Sequence, residues 1–361
     1  MQYTILYCLS SLKIYSLLRN SDSNRIYRLM LGLVELICYR LYRWMQAGDR
    51  FSSKGKPGSL SVAIVCATTS NGNSVASALP TWLANFPAEI WIVTDAQVHE
   101  MNKRKLKAFQ NSEVNVISCE RTNKRAQLCE GFRRTKSDIV VICDDDTVWS
   151  STVLDGLTRP FRQNASIGAV FPEVKFRPAS SSFTFWETLS AIRLAGDAID
   201  IRTSMLLDGG VFCASGTTAA YRGEILREPK FLDRFPNETW WGRKLNAGDD
   251  QSITLWLANH NWKYHVIPDE GPSGFTVMTT PRTTWKHLHQ LVRWSRSDWQ
   301  ACLNATLSRK AIWRYEKPLS VSLEMLTWYR NHPFTAWTRL TWCMESFSFT
   351  VEASYFFSHS E

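Results

Sequence analysis

Residues 138–147 read DIVVICDDDT, an apolar run that halts against three consecutive carboxylates, Asp144, Asp145 and Asp146. An unbroken apolar run of this kind fits a strand buried on both faces. Upstream, three further runs share its character: 60–67 (LSVAIVCA), 88–93 (AEIWIV) and 114–118 (VNVIS). Stretches with helical pattern separate the first two of these four strands and the last two. Such alternation predicts an α/β fold with a mostly parallel central sheet and helices on its faces. In that architecture ligands bind beyond the carboxyl ends of the strands, where the Asp run stands.

The chain has 361 residues, which a single α/β domain with extensions accommodates. Its 44% hydrophobic content supports a substantial core and excludes global disorder. The net charge of +9 calls for an anionic partner: nucleic acid, anionic lipid or a phosphorylated small molecule. Nucleic acid is set aside, because the basic residues are dispersed and no recognised module accompanies them. Nine cysteines without a Cys-x-x-Cys pair read as reduced thiols of the cytosol. Sequons begin at Asn164, Asn237 and Asn304, but such triplets are common by chance and fix no compartment.

No stretch reaches the roughly 18–20 uninterrupted apolar residues of a clear spanning helix. The first 18 residues are broken by Lys13 and lack a convincing cleavage site, so they do not read as a secretory signal. In 25–45 (RIYRLMLGLVELICYRLYRWM), Arg25, Arg28, Glu35, Arg40 and Arg43 share an arc of roughly 140°, with Ile26, Leu29, Leu33, Leu36, Ile37 and Leu41 opposite. Two readings stand: an interfacial helix on an anionic leaflet, or an amphipathic helix packed on its own domain. Much of the tryptophan, 16 residues in all, lies in the C-terminal third, where it suits membrane interfaces or carbohydrate faces.

Three clusters are candidates for chemistry. Asp144 and Asp146, alternate residues on a strand end, could hold a hard divalent cation that neutralises a diphosphate; the bland reading is a solvated acidic turn. Asp249 and Asp250, in NAGDDQ ahead of the helical run ITLWLANHNW, either cap that helix or supply a general base and its neighbour. Gln290, Arg293 and Trp294 share one side of a predicted helix, where the arginine could pair with phosphate and the indole cover a sugar; Arg/Trp pairs are also ordinary surface features. Between the first two clusters, CASGTTAAYR holds small residues, Gly216 among them, that let backbone approach a ligand, while Tyr221 and Arg222 either serve that approach or are structural. Asn123-Lys124-Arg125 either meets phosphate or forms a solvated basic turn.

In this order the motifs DDD, GTTAAYR, GDD and QLVRW resemble the processive family-2 glycosyltransferases, which include hyaluronan, cellulose and chitin synthases, and especially their fungal polysaccharide-synthase-like branch. The phrases NFPAEIWIVTDA and LNAGDDQSITLWL are similar to that branch, and the resemblance spans about residues 58–335. It implies a nucleotide-diphospho-sugar transferase (GT-A) fold, a UDP-sugar donor and Mg²⁺ or Mn²⁺. By motif, Asp144 and Asp146 correspond to the donor and metal carboxylates and Asp250 to the base, with Asp249 beside it. Gln290, Arg293 and Trp294 correspond to the element at the diphosphate and acceptor end, with Gly216, Tyr221 and Arg222 assigned to the same region. Asp95 resembles the nucleotide-binding aspartate and Lys124 a basic residue near the donor. Thr68, with Thr69, stands where many relatives carry Pro and Tyr.

The resemblance implies three regions. Residues 1–57 form an amphipathic, membrane-proximal part, 58–300 the catalytic domain, and 301–361 an aromatic-rich, membrane-proximal segment shortened relative to the family. Secreting synthases carry several spanning helices after the QxxRW element. Here only 336–357 is a candidate, interrupted by Arg339, Glu345 and Glu352. The expected protein is therefore an inverting, metal-dependent glycosyltransferase at a membrane surface, its catalytic domain facing the cytosol. Its expected acceptor is a growing cell-surface or cell-wall polysaccharide, with a lipid or small hydrophobic metabolite as alternatives and a spanning partner or homo-oligomer as company. A catalytically inactive relative acting as a binding partner is the competing expectation.

Overall fold

The computed structural model describes residues 60–300, except 110–112, 121–122, 178–183, 212, 241, 247, 271–273, 281–288, 291, 295–296 and 298–299, together with Leu33, Ile37, Arg40 and Leu41. The chain forms two units, Met1–Phe51 and Ser52–Glu361. In the first, the four described positions are helical and leave Leu33, Ile37 and Leu41 half exposed along one side. The rest of the amphipathic region and the 301–361 segment lie outside the described residues. Among those described, no helix is long and apolar enough to cross a membrane.

The second unit begins β1 (Val62–Thr68), α1 (Asn73–Leu83), β2 (Glu89–Asp95), α2 (His99–Lys105), β3 (Val114–Cys119), α3 (Lys124–Arg134), β4 (Ile139–Cys143) and β5 (Val148–Trp149). It continues with α4 (Val153–Gln163), β6 (Ile167–Pro172), β7 (Val174–Phe176), α5 (Phe185–Asp208), β8 (Thr218–Arg222), α6 (Gly223–Leu226) and α7 (Pro229–Arg234). β9 (Thr239–Trp240), β10 (Arg243–Lys244), α8 (Asp249–Asn259), β11 (Lys263–Ile267) and β12 (Val277–Thr279) follow. The main sheet has seven strands in the order β11-β6-β8-β4-β1-β2-β3, with β8 alone antiparallel to its neighbours. The expected mostly parallel sheet is thus present.

Every residue of β4 is buried, as a strand covered on both faces requires. One face packs Ile64, Ile90 and Val141 against Val75, Leu79 and Trp82 of α1 and Leu157 and Phe161 of α4. The other packs Val65, Val140 and Phe171 against Leu128 and Phe132 of α3 and Ile253 and Leu257 of α8. Gly131 lets α3 lie close on β1: a side-chain carbon built there would come within 2.3 Å of a Val65 methyl. The long helix α5 starts at a capping box, Thr184 with Glu187, and stops at Gly209 with φ 66°. Its buried Arg202 pairs with Glu173, just past β6.

This topology decides what stands at the carboxyl edge. β1, β2 and β4 deliver Thr68, Asp95 and the Asp run there. Because β8 runs the other way, its first residue Thr218 pairs with Cys143 and its last, Arg222, with Ile139 at the opposite edge. A small sheet of order β5-β12-β7 forms a ledge next to the Asp run.

Candidate active site

The Asp run leaves β4 in a turn stitched to the segment before β8: Asp144 N–H donates to the Thr217 carbonyl at 3.1 Å, as does the Thr147 hydroxyl at 3.3 Å. The three carboxylates then diverge. Asp145 accepts from the Thr68 hydroxyl, and Asp146 accepts from Thr279 Oγ1 on β12 at 3.3 Å. Asp144 meets Lys124 Nζ at 2.9 Å, and the same ammonium lies 3.1 Å from Asp249 Oδ2. One cation from the start of α3 therefore joins the end of β4 to the start of α8. Lys124 and Asp144 keep 33% and 36% of their side chains exposed, enough for a ligand to reach them.

Charges at the site follow from this geometry. Burial alone would lower the pKa of Lys124, but Asp144 and Asp249 hold its ammonium well above the usual lysine range. Burial raises Asp144, with Lys124 pulling the other way. Burial, then Asp144 and Asp145, push Asp146 up to about 6. Burial opposes ionisation of Asp249 too, yet Lys124 draws it below the ordinary carboxylate range. Asp250 moves the opposite way, raised by burial and by the Asp249 charge. Its two oxygens are held separately, Oδ1 by Gln251 N–H at 2.9 Å and Oδ2 by Gly216 N–H at 3.3 Å.

Local sequence explains the start of α8. Gly248 sits at φ 67°, a left-handed turn that glycine adopts without strain, and it places both acids in the first turn of the helix. Asn123, which caps α3 by accepting from Arg125 N–H at 2.8 Å, also donates to Asn246 Oδ1 at 2.7 Å. The fully buried Arg125 donates to Gly248 O at 3.0 Å, Phe235 O at 3.2 Å and Glu238 Oε2 at 2.7 Å.

Of the candidate residues, Lys124, Asp144, Asp249, Asp250 and Gly216 converge, with Asp146 beside them. Asp95 stands at the same sheet edge, buried, where its Oδ1 caps the turn after β2 by accepting from Gln97 N–H at 2.8 Å. Gln290, Arg293 and Trp294 are helical. One turn on, Ser297 comes within 3.5 Å of where a side-chain carbon on Gly248 would stand, which brings this segment against the α8 start. Trp294 offers less open ring than expected, because the Arg193 guanidinium of α5 lies 4.8 Å from its centre.

Three candidates already have partners or packing within the fold. Arg222 lies at the far sheet edge and spends its guanidinium on the carbonyls of Ile167, Phe161 and Asn164. Tyr221 is 1% exposed and packs in the core beneath α8. Thr68 is buried and turns its hydroxyl to Asp145. Sequence reasoning gave no part to Thr279 or Asp145, whose partners are far away in sequence. It left Arg125 as a possible phosphate contact, although burial next to Lys124 makes it a frame residue.

The family model described as glycosyltransferase-like family 2 matches residues 57–297. The chain belongs to that family. Type 2 glycosyltransferases of Pyricularia oryzae and Gibberella zeae are similar to it. The first is 29% identical over 297 residues, 81% of this chain and 61% of the relative. The second is 30% identical over 296 residues, 81% and 56% of the two chains. The chain thus spans little more than half the length of these family members. A Pyrobaculum calidifontis mannosyltransferase solved with GDP-mannose and Mn²⁺ aligns over 82% of this chain and 84% of its own, at 16% identity and a TM-score of 0.52. That likeness concerns the fold, which is GT-A-like.

Proposed function

We propose that this chain transfers a glycosyl group from a nucleotide-diphospho-sugar to an acceptor hydroxyl with inversion at the anomeric carbon. The observation that carries the reading is the Lys124 bridge, which joins a donor-side carboxylate on β4 to a base-side carboxylate on α8 at the edge where ligands of such sheets bind. The opposed shifts of Asp249 and Asp250 support distinct roles for them. Asp249 stays ionised as Lys124's anchor. Asp250 takes the acceptor's proton, the freed oxygen bonds to the anomeric carbon, and the bond to the diphosphate breaks with its electron pair leaving on the nucleotide. Arg293 stands for stabilising that departing charge.

The residues fit a hard divalent cation, Mg²⁺ or Mn²⁺. Burial, and after it the charges of Asp144 and Asp145, raise Asp146 to about 6, and a cation relieves that charge. Among the described residues no three ligating side chains gather into a preformed cage. Asp144 and Asp146 would therefore hold the ion with donor phosphates and water as the remaining ligands, a common arrangement for Mg²⁺. Bound there, the ion neutralises diphosphate charge.

The motif resemblance supports a UDP-sugar donor and a cell-surface polysaccharide acceptor, as in the processive branch. The half-exposed Leu33, Ile37 and Leu41, flanked by arginines, support an anionic membrane surface facing the cytosol as the working place. Vesicle co-sedimentation tests that location; equal binding to neutral and anionic lipid would refute it.

The decisive experiment offers purified protein a panel of UDP- and GDP-sugars with Mn²⁺ and membrane extract and measures released nucleotide. Asp250→Asn is expected to lower release by ~10²–10⁴-fold while leaving nucleotide binding intact. Full release by Asp250→Asn would remove the base assignment, and no release by the wild type with any donor would remove the enzyme reading.

A further inference from the structure

Three consecutive residues at the start of α3 grip three positions at the start of α8. Asn123 holds Asn246 and Lys124 holds Asp249, while Arg125 holds the Gly248 carbonyl. Arg125 differs from the other two in being 2% exposed, so no substrate can touch it. Its guanidinium also binds Glu238, whose Oε2 in turn accepts from the Ser252 hydroxyl at 2.7 Å, one turn into α8. Gly248 O thus receives both the helical Ser252 N–H at 3.0 Å and Arg125 Nη2 at 3.0 Å. The left-handed turn that aims Asp249 and Asp250 is held from both sides.

We infer that Arg125 is a positioning residue for glycosyl transfer, fixing the α8 turn so that Asp250 meets an acceptor in register with a donor held at Asp144. The inference rests on the transferase reading. Its physical basis is the planar fork of the guanidinium. Arg125 bonds Glu238, Phe235 O and Gly248 O at once, a pattern that lysine's single ammonium cannot reproduce. A buried ion pair is a poor device for stability alone, since apolar replacements of similar volume are often neutral or better. As a device for geometry it is sound: displacing a catalytic group by about 1 Å can cost ~10²-fold in rate.

The test compares Arg125→Lys with the double variant Arg125→Met/Glu238→Leu. Arg125→Lys is expected to lower kcat by roughly 10–100-fold with the donor KM unchanged. Amide exchange at residues 248–252 should rise while amides of β1 and β4 keep their protection. The double variant removes the buried charges together, and its melting temperature should return towards wild type while turnover stays low. Three results would overturn the inference: wild-type kcat in Arg125→Lys, turnover recovering with melting temperature in the double variant, or exchange rising evenly across the chain. Should the wild type fail to release nucleotide, the transferase reading falls by itself, and the exchange comparison still decides whether Arg125 fixes the turn.

Discussion

Lys124 keeps Asp249 anionic, and burial together with that fixed charge raises Asp250, so a single ammonium sets two adjacent carboxylates apart, as the anchor and base roles proposed for them require. A different residue, Glu89, shows how strongly local bonding ties a carboxylate to the fold away from the site. Glu89 begins β2, and its Oε1 accepts from Thr135 Oγ1, Lys136 N–H, Ser137 N–H and Ser137 Oγ, closing the turn into β4. Burial opposes its charge, but these bonds prevail and lower its pKa from 4.5 to about 2. Because the folded value lies below the unfolded one, Glu89 stabilises the fold above pH 4.5, and this contribution is lost as pH falls towards about 2. Glu89→Gln is expected to cost on the order of 1–2 kcal/mol at neutral pH, allowing for its partial exposure. Urea midpoints of the two proteins should converge below pH 4.5; a gap constant with pH would disprove the assignment.

At the scale of elements, α3 is the hub. It lies on β1 through Gly131, its start grips α8, and Gln127 Nε2 donates to the carbonyls of Thr68 at 3.1 Å and Val93 at 3.3 Å. Gly131→Ala forces a methyl into Val65, and such overpacking typically costs ~1–3 kcal/mol. The expected result is a lowered melting temperature, with turnover reduced further than stability alone explains because Lys124 moves with the helix. Unchanged melting would show that α3 can lift without cost. Elements differ in how much of this the sequence declares. β1, β2 and β4 are legible because each holds a continuous apolar run, and β3 because Val114, Val116 and Ile117 still dominate a short β-branched stretch. CASGTTAAYR reads as a ligand-approach segment, and only its first half serves the site: Gly216 reaches Asp250, while TAAYR is the antiparallel strand β8, whose small residues sit between two neighbours. β5 and β12 are too short to carry a period at all. α5 escapes a reading by apolar runs, although Thr-Phe-Trp-Glu at 184–187 and Gly209 are its written start and stop. The acids of the site were legible as motifs. The Arg125 frame was not, because a buried arginine has no pattern of its own until its partners are known.

At the scale of the whole molecule, a chain with net charge +9 gathers five aspartates, Asp144 to Asp146 with Asp249 and Asp250, at one edge of its sheet, where Lys124 bridges two of them. Concentrated negative charge in a basic protein is costly without a cation and favourable for binding one. The charged groups come from β4, α3 and α8, which are separate in sequence, so the unfolded chain has no such site and binding must favour the folded state. A nucleotide diphosphate with Mn²⁺ at a hundredfold excess over Kd would add about 2.7 kcal/mol. For a domain of this size that amounts to a rise in Tm of roughly 5–10 °C. UDP alone and Mn²⁺ alone are expected to give much smaller rises, because each leaves the other's charge uncompensated. Asp144→Asn and Asp146→Asn should each abolish the joint rise, while Asp250→Asn, on the acceptor side, should keep it. Thermal melts of the four proteins with UDP and with GDP make the comparison. A joint rise surviving in both Asp144→Asn and Asp146→Asn would mean that the diphosphate and its cation bind elsewhere on the molecule.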